Sequence, residues 1–559
     1  MSIYGLNGPT PGPGLALGAI PADACLVGTC LEEQSDLTAV ERFAQFHGDA
    51  ADPLQSRYYS ALMPTRPPGP GQQYAFDVDL DRCSGCKACV AACHNLNGLD
   101  EGESWREVGL VFGGGPGLPM LQHITSSCHH CLDPACLNAC PVEAYEKDPV
   151  TGIVRHLDDQ CFGCRYCTLA CPYDAPRFHA GKGIVRKCDM CSGRLAAGEA
   201  PACVQACPHE AIAIRVVDRT EVIARAEAGL FLPGAPDPGF TQPATSYRSR
   251  HIRRLEDLQP ADDHHVEPDH AHWPLIAMLV LTQLSVGGFV VELAAVASGS
   301  DRGLGTALHP ALCLGLGWVG LAASILHLGR PLYAYRAIIG IGHSWLSREV
   351  LAFGLYAKLA TAFTALEIFR PEWLQVAAGL RTALLGAVVV SGLAGLASSV
   401  MVYHAVRREF WHARYGGARF VGSAIVLGLT TALAALAIGR VGNVGGIATG
   451  LIAAMTAKLG FEAWILHGFA RSERSALRGT ASLLRGALRT QDRFRRILGL
   501  AGGVLLPALA VVASSQGMPG ITAAIAVLAL ITSIGGELAE RYLFFTAVVR
   551  PSMTGGLIP

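Results

Sequence analysis

Sixteen of the 19 cysteines in this chain lie before residue 210, where they form four groups of four. Each group ends in a C-x3-C pair, and the last three groups are followed at once by Pro141, Pro172 and Pro208. The grouped cysteines are Cys83, Cys86, Cys89, Cys93, Cys128, Cys131, Cys136, Cys140, Cys161, Cys164, Cys167, Cys171, Cys188, Cys191, Cys203 and Cys207. Long apolar segments follow them. The chain therefore combines a thiol-rich part with a separate apolar part.

The spacing of the thiols indicates which metal centre they hold. A C-x2-C-x2-C-x3-C-P run is typical of cubane iron–sulfur clusters, in which three close thiolates act with a distant one. Four groups of four predict four [4Fe-4S] clusters. Structural zinc is the alternative, because C-x2-C pairs also form zinc sites, but the longer run is not a zinc spacing. A disulfide framework does not need this spacing. We interpret Cys25, Cys30 and Cys313 as ordinary thiols.

The composition indicates a membrane protein. Hydrophobic residues make up 51% of the chain and charged residues only 16%, and the net charge of −1 does not favour binding of nucleic acid. From Trp273 onwards, apolar segments recur that are long enough to cross a bilayer as helices. We predict eight spans, near residues 274–297, 308–328, 349–369, 382–404, 420–438, 446–469, 497–514 and 521–540. An even number of spans places both ends of this part on one side.

The predicted fold class is an α+β ferredoxin-like poly-[4Fe-4S] domain followed by an all-α eight-helix transmembrane bundle. Strands are expected just before the first cysteine group (YAFDVDL) and just after the last one (AIAIRVV). The predicted organisation has four parts: a partner-contacting N-terminal extension with a helix around 37–47, a cluster domain, a solvated linker and a membrane anchor. Their bounds are 1–75, 76–215, 216–272 and 273–559.

The arginines of the connections predict the orientation of the bundle. Seventeen of them lie on the side that holds the cluster domain, and four (Arg302, Arg370, Arg381 and Arg440) lie on the other side. The alternative is that the Arg-rich segment 471–496 binds another subunit, but without it the count is still nine to four. The N-terminal residues carry no recognisable export signal. We therefore expect a bacterial inner-membrane protein with its cluster domain and both termini in the cytoplasm.

Two sequence runs carry a resemblance to a known family. The run YCTLACPYDAPRFHAGKGIVRKCDMCSGRLAAGEAPACVQACPHEAI resembles the four-cluster iron–sulfur subunit of dimethyl sulfoxide reductase and its relatives. LHLGRP (326–331), SWLSREV (344–350) and GELAERYLFFTAVVRPSMTGG (536–556) resemble the matching membrane anchor and, more distantly, the polysulfide-reductase type. Two subunits that are usually separate are fused in this chain.

The resemblance implies how the thiols are shared and which subunit is the partner. The last cysteine of one group crosses to the cluster of another, and a separate catalytic subunit carries a molybdenum bis-guanine-dinucleotide cofactor. The implied ligand sets are Cys83/Cys86/Cys89/Cys207, Cys93/Cys188/Cys191/Cys203, Cys128/Cys131/Cys136/Cys171 and Cys140/Cys161/Cys164/Cys167. Dimethyl sulfoxide reductase itself faces the periplasm. The cytoplasmic orientation resembles the sulfite-oxidising branch instead, so the substrate of the partner stays open.

Ionisable residues at the cluster-side edge of the bundle predict a quinone site. His327 and Glu349 close one apolar segment and begin the next, and together they can take two protons from a quinol. The connection between them adds Arg330, Arg336, Ser347 and Arg348. The resemblance implies that these motif positions line a quinol site. The alternative is that His327 and Glu349 only cap helices and pair with nearby arginines.

Three further charged residues, Lys358, Lys458 and Glu462, lie deeper in the apolar segments. Lys458 and Glu462 are four residues apart, which favours an ion pair on one helix face over a proton path.

We predict an electron-transfer and membrane-anchor subunit of a molybdopterin oxidoreductase complex. It passes electrons between membrane quinone and a molybdenum subunit in anaerobic respiration, and it has no catalytic residues of its own. The alternatives are the electron-transfer module of a hydrogenase or a nitrite reductase, or an ion-translocating redox module of the membrane.

Overall fold

The computed structural model describes residues 56–553 except for 114–119, 252–257, 262–265, 300–303, 305–306, 370–377 and 473–474. The helix predicted around 37–47 lies outside the described residues, as do Cys25 and Cys30. The chain divides into two compact units, residues 1–61 and 62–559. Of the first unit, the described part is the short helix Ser56–Tyr59 and the start of a 3-10 turn. The rest of the description concerns the second unit.

The two predicted strands that flank the cysteine groups are present and pair with each other. β1 (Gln72–Asp79) and β8 (Ile212–Asp218) are antiparallel, with Phe76 opposite Ile214 in the core. Their β-branched and aromatic residues favour extended backbone, and the pairing brings the two ends of the cysteine-rich segment together. The cysteine-rich segment is therefore closed by the strands that come directly before and after it.

The remaining strands are short and lie between the thiol-bearing turns. β2 and β3 form a hairpin, β4 pairs with β5, and β6 pairs with β7, all antiparallel. Their bounds are Arg106–Gly113, Met120–Ser127, Tyr145–Lys147, Val154–His156, Arg177–His179 and Ile184–Arg186. Five helices, α1 to α5, carry or follow cysteines: Ala88–Asn97, Ala135–Ala139, Tyr166–Ala170, Ser192–Ala196 and Ala202–Gln205.

The segment predicted as a solvated linker, 216–272, is instead largely part of the cluster domain. It contains the helix α6 (Arg219–Glu227), and two of its strands extend the sheets: β9 (Ser246–Arg248) lies parallel to β1, and β10 (Leu258–Pro260) pairs with β2. The guanidinium Nε of Arg248 donates to Asp77 at 2.9 Å. Polar composition suggested solvent exposure, but these side chains pair with groups on the sheet edges.

The eight predicted spans are all present as helices, most of them longer than the apolar segments. The helices α7 to α16 are Trp273–Ala297, Leu308–Ile325, Trp345–Phe369, Ala378–His404, Ala413–Gly439, Val444–Ala470, Ser475–Arg485, Arg489–Leu500, Leu506–Ser515 and Pro519–Thr546. A π-helical turn, Ala501–Leu505, joins α14 to α15 in the seventh span. Helices of 25 residues are about 38 Å long, more than the roughly 30 Å of bilayer hydrocarbon, so their ends carry polar residues.

A buried charge network holds the second half of the bundle together. The predicted pair of Lys458 and Glu462 is present, with Nζ and Oε1 4.0 Å apart, but Glu537 is closer to the same ammonium. Glu462 also pairs with Arg495, and Arg541 pairs with Glu540 at 2.9 Å. Pairing of this kind lowers the cost of burying charge in a bilayer. Lys358, in contrast, is exposed on the surface of α9.

The connection between α8 and α9 packs directly on the cluster domain, and we call residues 326–344 the docking loop. Gly329 N–H donates to the carbonyl of Gly163 at 3.2 Å, and Arg330 N–H donates to that of Phe162 at 2.9 Å. A Cβ at Gly329 would overlap the carbonyl group of Gly183, because three glycine backbones meet there. This contact leaves no room for a side chain.

We predict that Gly329→Ala weakens the contact between the docking loop and the cluster domain. The added methyl group meets backbone that has no room to move, so stability should fall by about 1–3 kcal/mol. A thermal unfolding scan in detergent should show the lower midpoint. Gly342→Ala is the control, since its methyl group meets no atom within 4 Å. Equal midpoints for the two variants would contradict the prediction.

Candidate electron-transfer chain and quinone site

The structure brings the sixteen cysteines together in four sets. Cys128, Cys131, Cys136 and Cys171 line one pocket, and Cys83, Cys86, Cys89 and Cys207 line another. The other thiols interact electrostatically within two further groups, Cys140 with Cys161, Cys164 and Cys167, and Cys93 with Cys188, Cys191 and Cys203. In each set the fourth thiol comes from a different group of the sequence, as the resemblance implied.

Left-handed backbone shapes the turns that carry these thiols. In two of the groups, a glycine and a basic residue with positive φ separate the first three cysteines. The pairs are Gly85 with Lys87 and Gly163 with Arg165. Such turns also aim backbone N–H groups at sulfur: Ala144 N–H donates to Cys140 Sγ at 3.2 Å. Hydrogen bonds to sulfur are one of the factors that set the potential of an iron–sulfur cluster.

The donor sets fit [4Fe-4S] clusters. Each set consists of four thiols, and every described cysteine is free of disulfide bonds. Burial raises the pKa of Cys93 and of Cys171 to about 12, so these thiols stay protonated at neutral pH until a metal displaces the proton.

The four sets lie in a line that starts at the membrane. Tyr145 is the shared neighbour of Cys167 and Cys136, so the Cys140 set adjoins the Cys128 set. Cys188 interacts with Cys128, and Cys203 with Cys89, which adds the Cys188 set and then the Cys83 set. Cys86, in the last set, is exposed on the surface. We number the sets one to four in this order, from the membrane outwards.

His327 joins set one to the membrane. The helix α8 ends at Ile325, so His327 lies just beyond it in the docking loop, where its side chain is buried. Its Nε2 is 3.1 Å from the carbonyl oxygen of Cys164, and its ring lies 5.4 Å from that of His272. Burial, with the positive charge of Arg165, lowers the pKa of His327 to about 4. The imidazole is therefore neutral at pH 7.

Glu349 lies on the second turn of α9, shortly after the end of the docking loop, and it is buried too. Ser399 of α10 donates a hydrogen bond to its carboxylate. Its environment contains Tyr166 and Tyr403, both buried aromatic residues, of which Tyr166 comes from the cluster domain. His327 and Glu349 thus lie on either side of the Cys164–Tyr166 turn, at the boundary between the domains.

The other four predicted site residues contact backbone carbonyls instead. Arg330 donates to Asp158 O at 3.0 Å, Arg336 to Asp159 O at 3.1 Å, and Ser347 to Pro141 O at 3.4 Å. Arg348 donates to Gly342 O at 2.9 Å within the docking loop. The first three therefore fasten the docking loop and the start of α9 to the cluster domain, and Arg348 shapes the loop itself.

Sequence reasoning missed three residues near this boundary. Tyr166 donates to the carbonyl of Val402 at 2.8 Å and so links set one to α10. His272 falls in the predicted linker, and Ser399 in an apolar span. The sequence could have indicated Tyr166, because it lies between two ligand cysteines in the run CRYC. The sequence could not have indicated Ser399, because nothing in it distinguishes a serine that contacts Glu349 from any other serine in a span.

Apolar side chains on the docking loop face outwards at the bilayer edge. Leu326, Leu332 and Tyr335 are 79%, 88% and 69% exposed. A soluble surface rarely shows such a patch, and next to membrane spans it indicates contact with lipid. An apolar molecule in the bilayer therefore meets the docking loop before it meets set one.

Comparison with known proteins finds a matching family for each half of the chain. Residues 120–217 match the 4Fe-4S dicluster domain family, and residues 268–546 match the family of the DMSO reductase anchor subunit. The B chain of anaerobic dimethyl sulfoxide reductase from Haemophilus influenzae is 35% identical over 193 residues, which are 33% of the present chain and 93% of that protein.

Two further relatives match the same part of the sequence. The probable anaerobic dimethyl sulfoxide reductase protein YnfG of Escherichia coli strain K12 is 38% identical over 182 residues, 31% of the present chain and 86% of the relative. The hydrogenase-2 operon protein HybA of Escherichia coli O157:H7 is 36% identical over 202 residues, with 31% of the present chain and 61% of the relative covered. The chain belongs to the dimethyl sulfoxide reductase family, and it unites that family's iron–sulfur electron-transfer subunit and its membrane-anchor subunit in one multi-pass polypeptide.

Proposed function

We propose that this chain carries electrons between a membrane quinol and a separate molybdenum catalytic subunit through four [4Fe-4S] clusters. The contact between His327 and the Cys164 carbonyl carries the proposal, because it places a proton-accepting side chain beside the thiol set nearest the membrane. At the other end of the line, the exposed Cys86 lies where a soluble partner can approach. Bound clusters supply the one-electron carriers between these ends.

His327 and Glu349 are the proposed proton acceptors. Nε2–H of His327 donates to a carbonyl, which leaves Nδ1 as an acceptor for a quinol hydroxyl. The Glu349 carboxylate, held by Ser399, takes the second proton. A quinol gives up two protons and two electrons, so two acceptors beside set one match its chemistry. The exposed apolar residues of the docking loop provide its way in from the bilayer.

The proposed location is the bacterial inner membrane, with the cluster domain in the cytoplasm. The arginine bias supports this orientation, since cations in short connections stay on the cytoplasmic side. Arg407, Arg414, Arg485, Arg489 and Arg493 are exposed on the cluster side of the bundle. The molybdenum partner would then also be cytoplasmic.

We predict that His327→Ala leaves all four clusters in place but slows their reduction by quinol about 100-fold or more, the usual size of a lost proton acceptor. Iron content and stopped-flow bleaching of the cluster absorbance after addition of a quinol measure the two effects. His343→Ala is the matched control, because His343 contacts the Cys140 carbonyl at 3.0 Å from the same loop. Normal reduction in His327→Ala would refute the assignment.

The crossed ligand sets predict which substitutions share an effect. Cys171→Ser and Cys128→Ser should remove the same paramagnetic signal, since both thiols belong to set two. Cys161→Ser should remove a different signal, although Cys161 and Cys171 belong to the same group of cysteines in the sequence. Electron paramagnetic resonance of the reduced protein distinguishes the signals, and Cys313→Ser serves as the control. A signal shared by Cys171→Ser and Cys161→Ser would overturn the crossing.

Metal analysis of the complex purified from native membranes tests the partner. Molybdenum or tungsten beside iron is expected. Nickel would favour the hydrogenase alternative, with which the partial match to HybA agrees. Haem iron would favour a nitrite reductase, and iron alone a self-contained membrane module.

A further inference from the structure

A buried arginine lies between sets three and four. Arg106 begins β2 and is only 2% exposed. Its guanidinium donates to Thr125 Oγ1 at 3.1 Å and to Ser127 Oγ at 2.9 Å, and it stacks 4.7 Å from the centre of the Phe76 ring. In the described part of the chain, no carboxylate oxygen lies within 4.0 Å of it. Its hydrogen-bond partners among the described residues are these two neutral hydroxyls and the thiol of Cys203, a member of set three.

A buried lysine lies between sets two and three. Lys187 is 3% exposed, and its ammonium donates to the carbonyls of Val154 and Cys188, the latter at 2.8 Å. Lys187 also lines the pocket of set two. Over the described residues, it too has no carboxylate within ion-pair distance.

Two uncompensated buried cations are expensive, so the fold needs an anion near each of them. Removing a cation from water without a paired anion costs several kcal/mol or more. The strongest candidates are the thiolates: Arg106 interacts with Cys89, Cys93, Cys188 and Cys203, and Lys187 with Cys128, Cys136 and Cys188. Asp189 also interacts with Lys187, from beyond ion-pair distance, and ranks after the three thiols. A cubane held by four thiolates has a net negative charge, which becomes more negative on reduction. Bound clusters would therefore be the missing counter-ions.

We propose that Arg106 and Lys187 are fixed positive charges that raise the reduction potentials of sets two, three and four relative to set one. A nearby cation stabilises the more negative, reduced form of a cluster, so it makes reduction easier. Set three lies beside both cations, so its reduction potential is raised most. The inference rests on the proposed function, and it adds a direction, because electrons are then drawn from set one, next to the membrane, into sets two to four.

The space between sets one and two, next to the membrane, differs from the spaces between sets two and three and between sets three and four. Between sets one and two the buried side chain is Tyr145, which is neutral and whose hydroxyl interacts with the thiol of Cys167. Other cations near the sets are less buried. Lys147 donates to the carbonyl of Cys131 at 2.9 Å, and Arg330 lies near Cys161, but both side chains are partly exposed and screened by water. Within the described ranges, Arg106 and Lys187 are the cations that combine full burial with a place between two sets.

The test is a redox titration of the whole purified protein, followed by electron paramagnetic resonance. Arg106→Met should shift the midpoints of sets three and four to lower potential, and Lys187→Met those of sets two and three. At a fixed ambient potential we expect the ratio of reduced to oxidised cluster to fall about tenfold, which is 59 mV for a one-electron couple. Set one should keep its midpoint in both variants and serves as an internal reference. Lys182→Met, which removes an exposed cation of the same domain, is the control.

The conservative variant Arg106→Lys distinguishes an effect of the positive charge from an effect of the shape of the side chain. If Arg106→Met loses iron but Arg106→Lys keeps both iron and midpoints, a positive charge is required at this place, which supports the proposal. Unshifted midpoints in a fully loaded Arg106→Met protein would overturn it. It is also overturned if Arg106→Lys behaves like Arg106→Met, since the side chain then acts through its shape. Failure of the proposed function would look different, because the unsubstituted protein would then lack the iron for four clusters.

Discussion

Backbone carbonyl groups on the thiol-bearing turns join the two halves of this protein. Cys140, Cys161 and Cys164 each offer a carbonyl oxygen to a side chain of the docking loop, in addition to the sulfur that faces their set. Ser344 donates to the carbonyl of Ala139 at 2.7 Å in the same way. The turns that position set one are therefore the surface on which the membrane domain rests. Any movement of the docking loop changes both the support of set one and the position of His327.

The fusion reinforces this boundary from other parts of the chain. Asp269, just before the first span, pairs with Arg408 at 3.2 Å and with Arg550 after the last span. Farther along the C-terminal segment, the sulfur of Met553 lies 3.3 Å from Nε2 of His129, next to Cys128 of set two. Segments before, within and after the bundle thus all meet the cluster domain. A single polypeptide also holds the two domains at a high effective concentration, so their contact surface need not be large.

Buried charge is treated differently in the two halves. In the bundle, Lys458, Arg495 and Arg541 each have a carboxylate partner, so every one of these cations is paired with a protein group. In the cluster domain, Arg106 and Lys187 have no carboxylate within ion-pair distance among the described residues, and the groups that interact with them most strongly are ligand thiols. This difference follows from chemistry: lipid supplies no counter-ion, whereas a metal cluster ligated by thiolates does. Folding of the cluster domain and metal binding should therefore be coupled.

The sequence by itself determined the fold class, the thiol groups and the eight spans, because cysteine spacing and long apolar segments are local patterns that sequence alone specifies. It did not reveal the cluster-domain role of residues 216–272, whose strands β9 and β10 pair with strands far away in the chain. It also grouped Arg330, Arg336 and Ser347 with the quinone site, and only the tertiary structure shows that they donate to carbonyls of the cluster domain. The positions of Arg106 and Lys187 between sets were likewise decided only in three dimensions. Such contacts join residues distant in sequence, and no local pattern records which partners the folded chain brings together.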